Sequence, residues 1–179
     1  MNTQFSIKRE KFNGQLLAIG RLVPYKGFEF LIKAINKSNY QLHIIGDGPL
    51  YDSLKVIAGK NIFLHRKVDE TMKNQLFHQC DLLIVPSINR AEAYGMTIAE
   101  AFETGMPVVA SNLETGVTWL VQDEKTGLVF DTLNAESLLR AIKKFEDDEI
   151  FYQNVSLNTK QFFEENLKYE HFKNKFKNI

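Results

Sequence analysis

The sequence predicts an α/β protein: a doubly wound parallel sheet of about six strands with helices on both faces and an appended helical tail. Two observations carry that expectation. Short β-rich apolar runs alternate with amphipathic stretches through the first 130 residues, and from residue 134 onward the chain reads as helix with no further β-run. Strands separated by helices of about ten residues require right-handed crossovers, which cover both faces of a single sheet.

Each element follows in order. "QLLAIG" (15–20) reads as a buried strand, and residues 27–37 then set Phe28, Phe30, Leu31, Ala34 and Ile35 at helical spacing. "YQLHIIG" (40–46) is the second strand, 49–58 a short helix and "NIFLH" (61–65) the third strand. A helix over 69–79 is expected to turn Met72, Leu76 and Phe77 inward, with Asp69 as its cap. "DLLIVPS" (81–87) is a central strand, and a helix ending near Gly105 follows it. "PVVAS" (107–111), a short helix near 115–121 and "GLVF" (127–130) complete the sheet. The tail, about 148–179, is expected to pack on it, and 1–179 reads as a single domain.

Composition narrows the function. With 44% hydrophobic residues the chain can build a core, and 22 Lys plus Arg balance 22 Asp plus Glu. That balance gives no global field for nucleic acid or an anionic membrane, so any anion site must be local. There is one cysteine, Cys80, and no apolar run of the roughly 18 or more residues that a membrane helix needs. A reducing cytoplasm suits such a chain. His43, His65, His78 and His171 are dispersed and Asp-x-Asp is absent, so no metal site is expected; the acidic run at 146–149 reads as a solvated helix end.

In an open parallel sheet the ligand sits beyond the C-terminal strand ends. The first such loop, "GRLVPYKG" (20–27), offers Arg21 and Lys26 as a planar fork and a mobile point charge, suited to a diphosphate or simply to water. "GDGP" (46–49) has two glycines for close backbone approach or positive φ, and reads equally as a tight turn placing Pro49 at the first helical position. "HRKVD" (65–69) adds cations before a helix. In "EAYGMTIAE" (92–100), Gly95 opens a helix whose free amides can face an anion, with Thr97 beside them. Helical side chains tilt toward the N-terminus, so Glu100 reaches back to the same opening as Glu92. Taken singly, each acid reads also as a surface residue. Together, cations for a diphosphate and carboxylates for adjacent hydroxyls describe a site for a nucleotide sugar.

"GRLVPYKG", "GDGP", "DLLIVPS", "EAYGMTIAEAFETGMPVVAS" and "TGLVF", in this order and spacing, resemble the C-terminal, donor-binding domain of the retaining glycosyltransferases of family 4. The resemblance covers about residues 13–147 and implies one Rossmann-like half of the glycosyltransferase-B fold. It implies that Arg21 and Lys26 bind the donor diphosphate and stabilise the leaving group, that Glu92 positions the donor sugar, and that Glu100 holds the ribose hydroxyls. Tyr94, Gly95 and Met96 would meet sugar or phosphate through backbone amides, with Thr97 nearby; Arg66, Lys67 and Val68 would lie against the base; and Gly20, Gly46 and Gly48 would make room for the nucleotide.

Two positions depart from the family pattern: His65 or Arg66 stands where the family commonly has glycine, and "GVTWLV" lacks the acid often found after Gly116. The donor expected is a UDP-, GDP- or ADP-sugar, with no cofactor; the missing Asp-x-Asp and the balanced charge add the expectation of no metal and no nucleic acid. The resemblance also implies an acceptor-binding N-terminal domain on the same or a partner chain, through which any membrane contact would be made, and little transfer by this chain alone. A non-catalytic nucleotide-sugar-binding module and a sugar-nucleotide epimerase are the alternatives. A dinucleotide dehydrogenase is disfavoured because no Gly-x-Gly-x-x-Gly follows the first strand.

Overall fold

The computed structural model describes residues 9–89, 95–113 and 116–168. Six parallel strands form one sheet: β1 (Gln15–Ile19), β2 (Gln41–Ile45), β3 (Ile62–His65), β4 (Leu82–Val85), β5 (Val108–Ser111) and β6 (Gly127–Phe130). Their spatial order is β3-β2-β1-β4-β5-β6, so the winding reverses between β1 and β4. The expected doubly wound sheet is what the chain forms. Among the described residues seven α-helices connect or follow the strands: α1 (Phe28–Ile35), α2 (Tyr51–Ile57), α3 (Glu70–Gln79), α4 (Met96–Glu103), α5 (Gly116–Leu120), α6 (Ala135–Asp147) and α7 (Glu149–Phe162). A π-helical turn, Phe163–Leu167, extends the last.

Because successive strand residues face opposite sides, each strand feeds two cores. Leu16 and Ala18 of β1 join Leu42 and Ile44 of β2 beneath α1, α2 and α6. Leu17 and Leu83 point the other way, into a core with Leu76 and Phe77 of α3, Ile98 and Phe102 of α4 and Val117 of α5. The tail joins both. Tyr152 and Val155 of α7 are buried in the first core, whereas Phe162, Phe163 and Leu167 pack on the second.

That crossing runs past the N-terminal strand ends, away from the expected ligand. Tyr152 donates to Asp81 O at 3.3 Å, just before β4, and Ser156 donates to Gly105 O at 2.7 Å, shortly before β5. Asp81 is itself buried, and its Oδ2 accepts from the backbone amides of Asn13 and Gln15. Burial pushes its carboxyl above the usual range, against the pull of those donors. Nearby, the buried Arg9 donates to the carbonyls of Phe77 and Cys80, closing the C-terminus of α3 with a cation.

Local signals work as read at several helix starts. Asp69 accepts from Met72 N at 2.8 Å, and Asn134 and Asp148 cap α6 and α7 in the same way. The acidic residues 146–149 are exposed, as expected of a helix end. Two details differ. Met72 is 37% exposed, because only the second half of α3, with Leu76 and Phe77, reaches the core. Pro49 precedes α2 instead of starting it: Leu50 N donates to Leu22 O at 3.1 Å and holds this turn off the helix.

Candidate functional site at the switch point

The winding reverses between β1 and β4, the usual ligand position in such sheets. Backbone hydrogen bonds continue beyond the strand ends and fix the loops that follow. Gly20 N donates to Ile45 O at 3.0 Å, Gly46 N to His65 O at 3.0 Å, Leu22 N to Asp47 O at 2.9 Å, and Ile88 N to Tyr25 O at 2.8 Å. Two glycines make this packing possible. Gly27 has φ 72°, and a Cβ there would lie 1.9 Å from Pro86 O; at Gly46 a Cβ would lie 2.0 Å from Gly20 O. Close approach is therefore the reason for Gly46, and Gly48 packs similarly against the Leu22 backbone.

Lys26 ends a 3-10 turn, Pro24–Lys26, and its aliphatic stem lies along Gly20. It lines a small cavity of about 20 Å³ with Ile19, Pro86, Ser87, Gly95 and Thr97. Gly95 is the N-cap of α4 and, having no side chain, supplies no capping oxygen to the first amides of the helix. Met96, next in the chain, is 72% exposed. The structure thus brings Lys26, Gly95 and Thr97 together around a helix start. Arg21 begins the same loop, exposed, with its carbonyl accepting from Val23 N. Glu92 and Tyr94 lie outside the described residues.

Glu100 stands on α4 one turn further in. Its Oε1 accepts from Lys73 Nζ of α3 at 2.7 Å, the lysine being 22% and the glutamate 38% exposed at the side chain. On the other side of β1, Arg66 Nε donates to Asp47 Oδ1 at 2.9 Å, and its guanidinium stands over the Tyr51 ring at 4.8 Å. The Arg66 hydrogen bond, with the amide of Gly48, holds the Asp47 carboxyl below the usual range. The loop expected to meet a base is therefore tied to the glycine loop beside it. Lys67 is exposed, and Val68 packs on the second core.

Before that loop, His43 Nδ1 and His65 Nε2 share a hydrogen bond of 3.0 Å, and Phe63 stacks on His43. Burial lowers the pKa of both histidines, with their mutual repulsion adding to the effect on His43.

Sequence reasoning missed Asp47, Tyr51 and Lys73 as parts of this constellation. Asp47, between two glycines at a strand end, carried a readable signal; Lys73 carried none, because its partner lies 27 residues away on another helix.

A larger cleft of about 510 Å³ opens beside α1, lined by Pro24, Phe30, Ala34, Leu50, Ile88 and Leu133 among others. Its lysine, Lys33, pairs with Glu29 at 2.5 Å. Among the described residues no group of three or more His, Cys, Asp and Glu side chains is placed to hold a metal ion. Among them, too, no helix is long and apolar enough to cross a membrane.

Comparison with known proteins agrees with the geometry. The O-antigen chain mannosyltransferase C of Escherichia coli is 26% identical over 167 residues, 91% of this chain and 45% of its own. The D-rhamnosyltransferase WbpZ of Pseudomonas aeruginosa is 30% identical over 126 residues, 68% of this chain and 33% of its own. This chain thus spans less than half the length of either relative. Among solved structures, HepE of Anabaena in complex with UDP and glucose superposes with TM-score 0.82 at 21% identity, over 93% of this chain and 47% of that one. The C-terminal domain of the group 1 glycosyl transferase LpcC of Francisella tularensis gives 0.74 at 16% identity, over 89% of this chain and 88% of that domain. The shared fold is one half of the glycosyltransferase-B architecture. Residues 2–162 match the family Glycosyl transferases group 1, and the chain belongs to that family.

Proposed function

We propose that this chain is the donor-binding half of a retaining glycosyltransferase that moves a hexose or N-acetylhexosamine from a nucleoside-diphosphate sugar to a glycan or glycolipid. The observation that carries this reading is the convergence of Lys26 with the glycine-capped start of α4 at the small cavity between β1 and β4. When the bond between the anomeric carbon and the diphosphate breaks, negative charge grows on the departing phosphate oxygen. Fixed cations and helix amides stabilise that charge without reorganising, which is the larger part of what such a site must do.

Arg21 and Lys26 supply the cations, and the amides of Gly95, Met96 and Thr97 the dipole. Glu100 accepts the ribose hydroxyls, and Glu92, with Tyr94 beside it, positions the sugar. Arg66, Lys67 and Val68 border the base. Gly20, Gly46 and Gly48 let the nucleotide lie close to the backbone. With charge neutralised by side chains and a helix start, the transfer proceeds without a divalent metal. Relatives named as an O-antigen chain mannosyltransferase and a D-rhamnosyltransferase support a role in surface-polysaccharide assembly, on the cytoplasmic side where nucleotide sugars are made. The acceptor is held by a second domain on the same or a partner chain, so this half alone binds donor and transfers little.

Reconstitution with the acceptor-binding half of a relative, supplied with labelled UDP-, GDP- and ADP-sugars, tests the reaction. Transfer with retained anomeric configuration, unaffected by chelator, is expected. Inverted product, or activity lost in chelator and restored by magnesium, would contradict it.

A further inference from the structure

The ion pair between α3 and α4 has a consequence for the same site. We infer that Lys73 is a positioning residue for ribose recognition, holding the Glu100 carboxylate ready for a ribonucleoside diphosphate; this rests on the nucleotide reading above. Lys73 Nζ lies 2.7 Å from Glu100 Oε1, and its stem runs beside Phe77, with the ammonium 6.0 Å from that ring. Both groups are more covered than the helix-surface pairs of α6, whose side chains are 46–87% exposed.

A carboxylate offers about four lone-pair directions. Among the described residues Lys73 occupies one of them, on Oε1, which leaves lone pairs for two neighbouring hydroxyls. The lysine does two things there. It restricts a flexible glutamate side chain to one arrangement before ligand arrives, so that less ordering is lost on binding. It also makes the acid part of a neutral pair, which reduces the repulsion that a bare carboxylate would exert on a diphosphate held nearby. Neither effect depends on Lys73 touching the nucleotide.

A purely structural link between two helices would behave differently, because it would affect every ligand or none. The test compares Lys73→Met and Lys73→Arg with the unaltered 179-residue chain. Methionine keeps the apolar stem against Phe77 and removes the charge; arginine keeps the charge. Calorimetric titration uses whichever of UDP, GDP and ADP binds most tightly, and then its 2′,3′-dideoxy counterpart. Lys73→Met is expected to weaken the ribonucleotide about 3- to 10-fold while changing the dideoxynucleotide less than about 2-fold, with arginine recovering most of the difference. Equal losses for both ligands, or an unchanged ribonucleotide affinity, would overturn the positioning role while leaving the nucleotide site intact. If the unaltered chain binds no nucleoside diphosphate, the nucleotide reading falls and this inference falls with it.

Discussion

Gly27 joins the fold to the site in a single residue. It closes the turn that delivers Lys26, adopts φ 72° and leaves no room for a Cβ against the carbonyl of Pro86. Both the dihedral and the contact resist a side chain, and the contact is with backbone that two loops hold in place. Gly27→Ala is therefore expected to cost about 2–4 kcal/mol, read as a lower urea midpoint with unchanged slope. A loss below about 0.5 kcal/mol would mean that the loops move apart easily.

At this scale the sequence was readable where chemistry is local. Asp69 announced its cap, whereas Gly46 left close approach and a tight turn as equal readings, and the structure decides for close approach. Lys73 and Glu100 did not announce each other, since nothing local to a helix says which residue on a later helix will face it. The glutamate expected beside the sugar, Glu92, stands in the segment outside the described residues, so its place rests on sequence alone.

Among the elements, the strands were legible because a parallel sheet buried on both faces demands continuous apolar runs, and each of the six was read to within about two residues. Helix faces were less so. Met72 has the right spacing to point inward, yet the sheet does not extend beneath the first turns of α3. The two edge strands, β3 and β6, differ in how they are finished, and β3 carries the histidine pair with β2.

That pair links the edge to pH. Both histidines have folded pKa values below their ordinary 6.5. As pH falls below that value the unfolded chain takes up protons before the folded one does, so the stability they contribute is present above about 6.5 and is lost as pH falls toward their folded values. The melting temperature should accordingly fall between about pH 7.5 and about pH 5.5, and the double substitution His43→Leu, His65→Gln should flatten that slope. An equally steep slope in the double variant would assign the pH dependence elsewhere, with Asp81 working in the opposite sense: its raised carboxyl pKa favours the folded state at low pH and loses that advantage as pH rises through the folded value.

On the scale of the whole molecule, the two ends of the sheet have separate duties. α7 crosses the N-terminal strand ends and joins the two cores, leaving the C-terminal ends to the loops that carry Arg21, Lys26 and Arg66 and to α4 with Glu100. The chain spans less than half the length of the two glycosyltransferase relatives compared above.

In the proposed function a nucleoside diphosphate lies between β1 and β4, with its phosphates at Lys26 and its ribose at Glu100. Calorimetric titration of the chain and its Lys26→Ala and Glu100→Ala variants with UDP, GDP and ADP, and with the matching nucleosides, tests it most directly. At least one diphosphate should bind. Lys26→Ala should weaken that diphosphate about 10-fold or more with little effect on the nucleoside, and Glu100→Ala should weaken both, each by the roughly 1.5–3 kcal/mol of a hydrogen bond to a charged group. No binding by any diphosphate, or binding that neither substitution alters, would contradict the account.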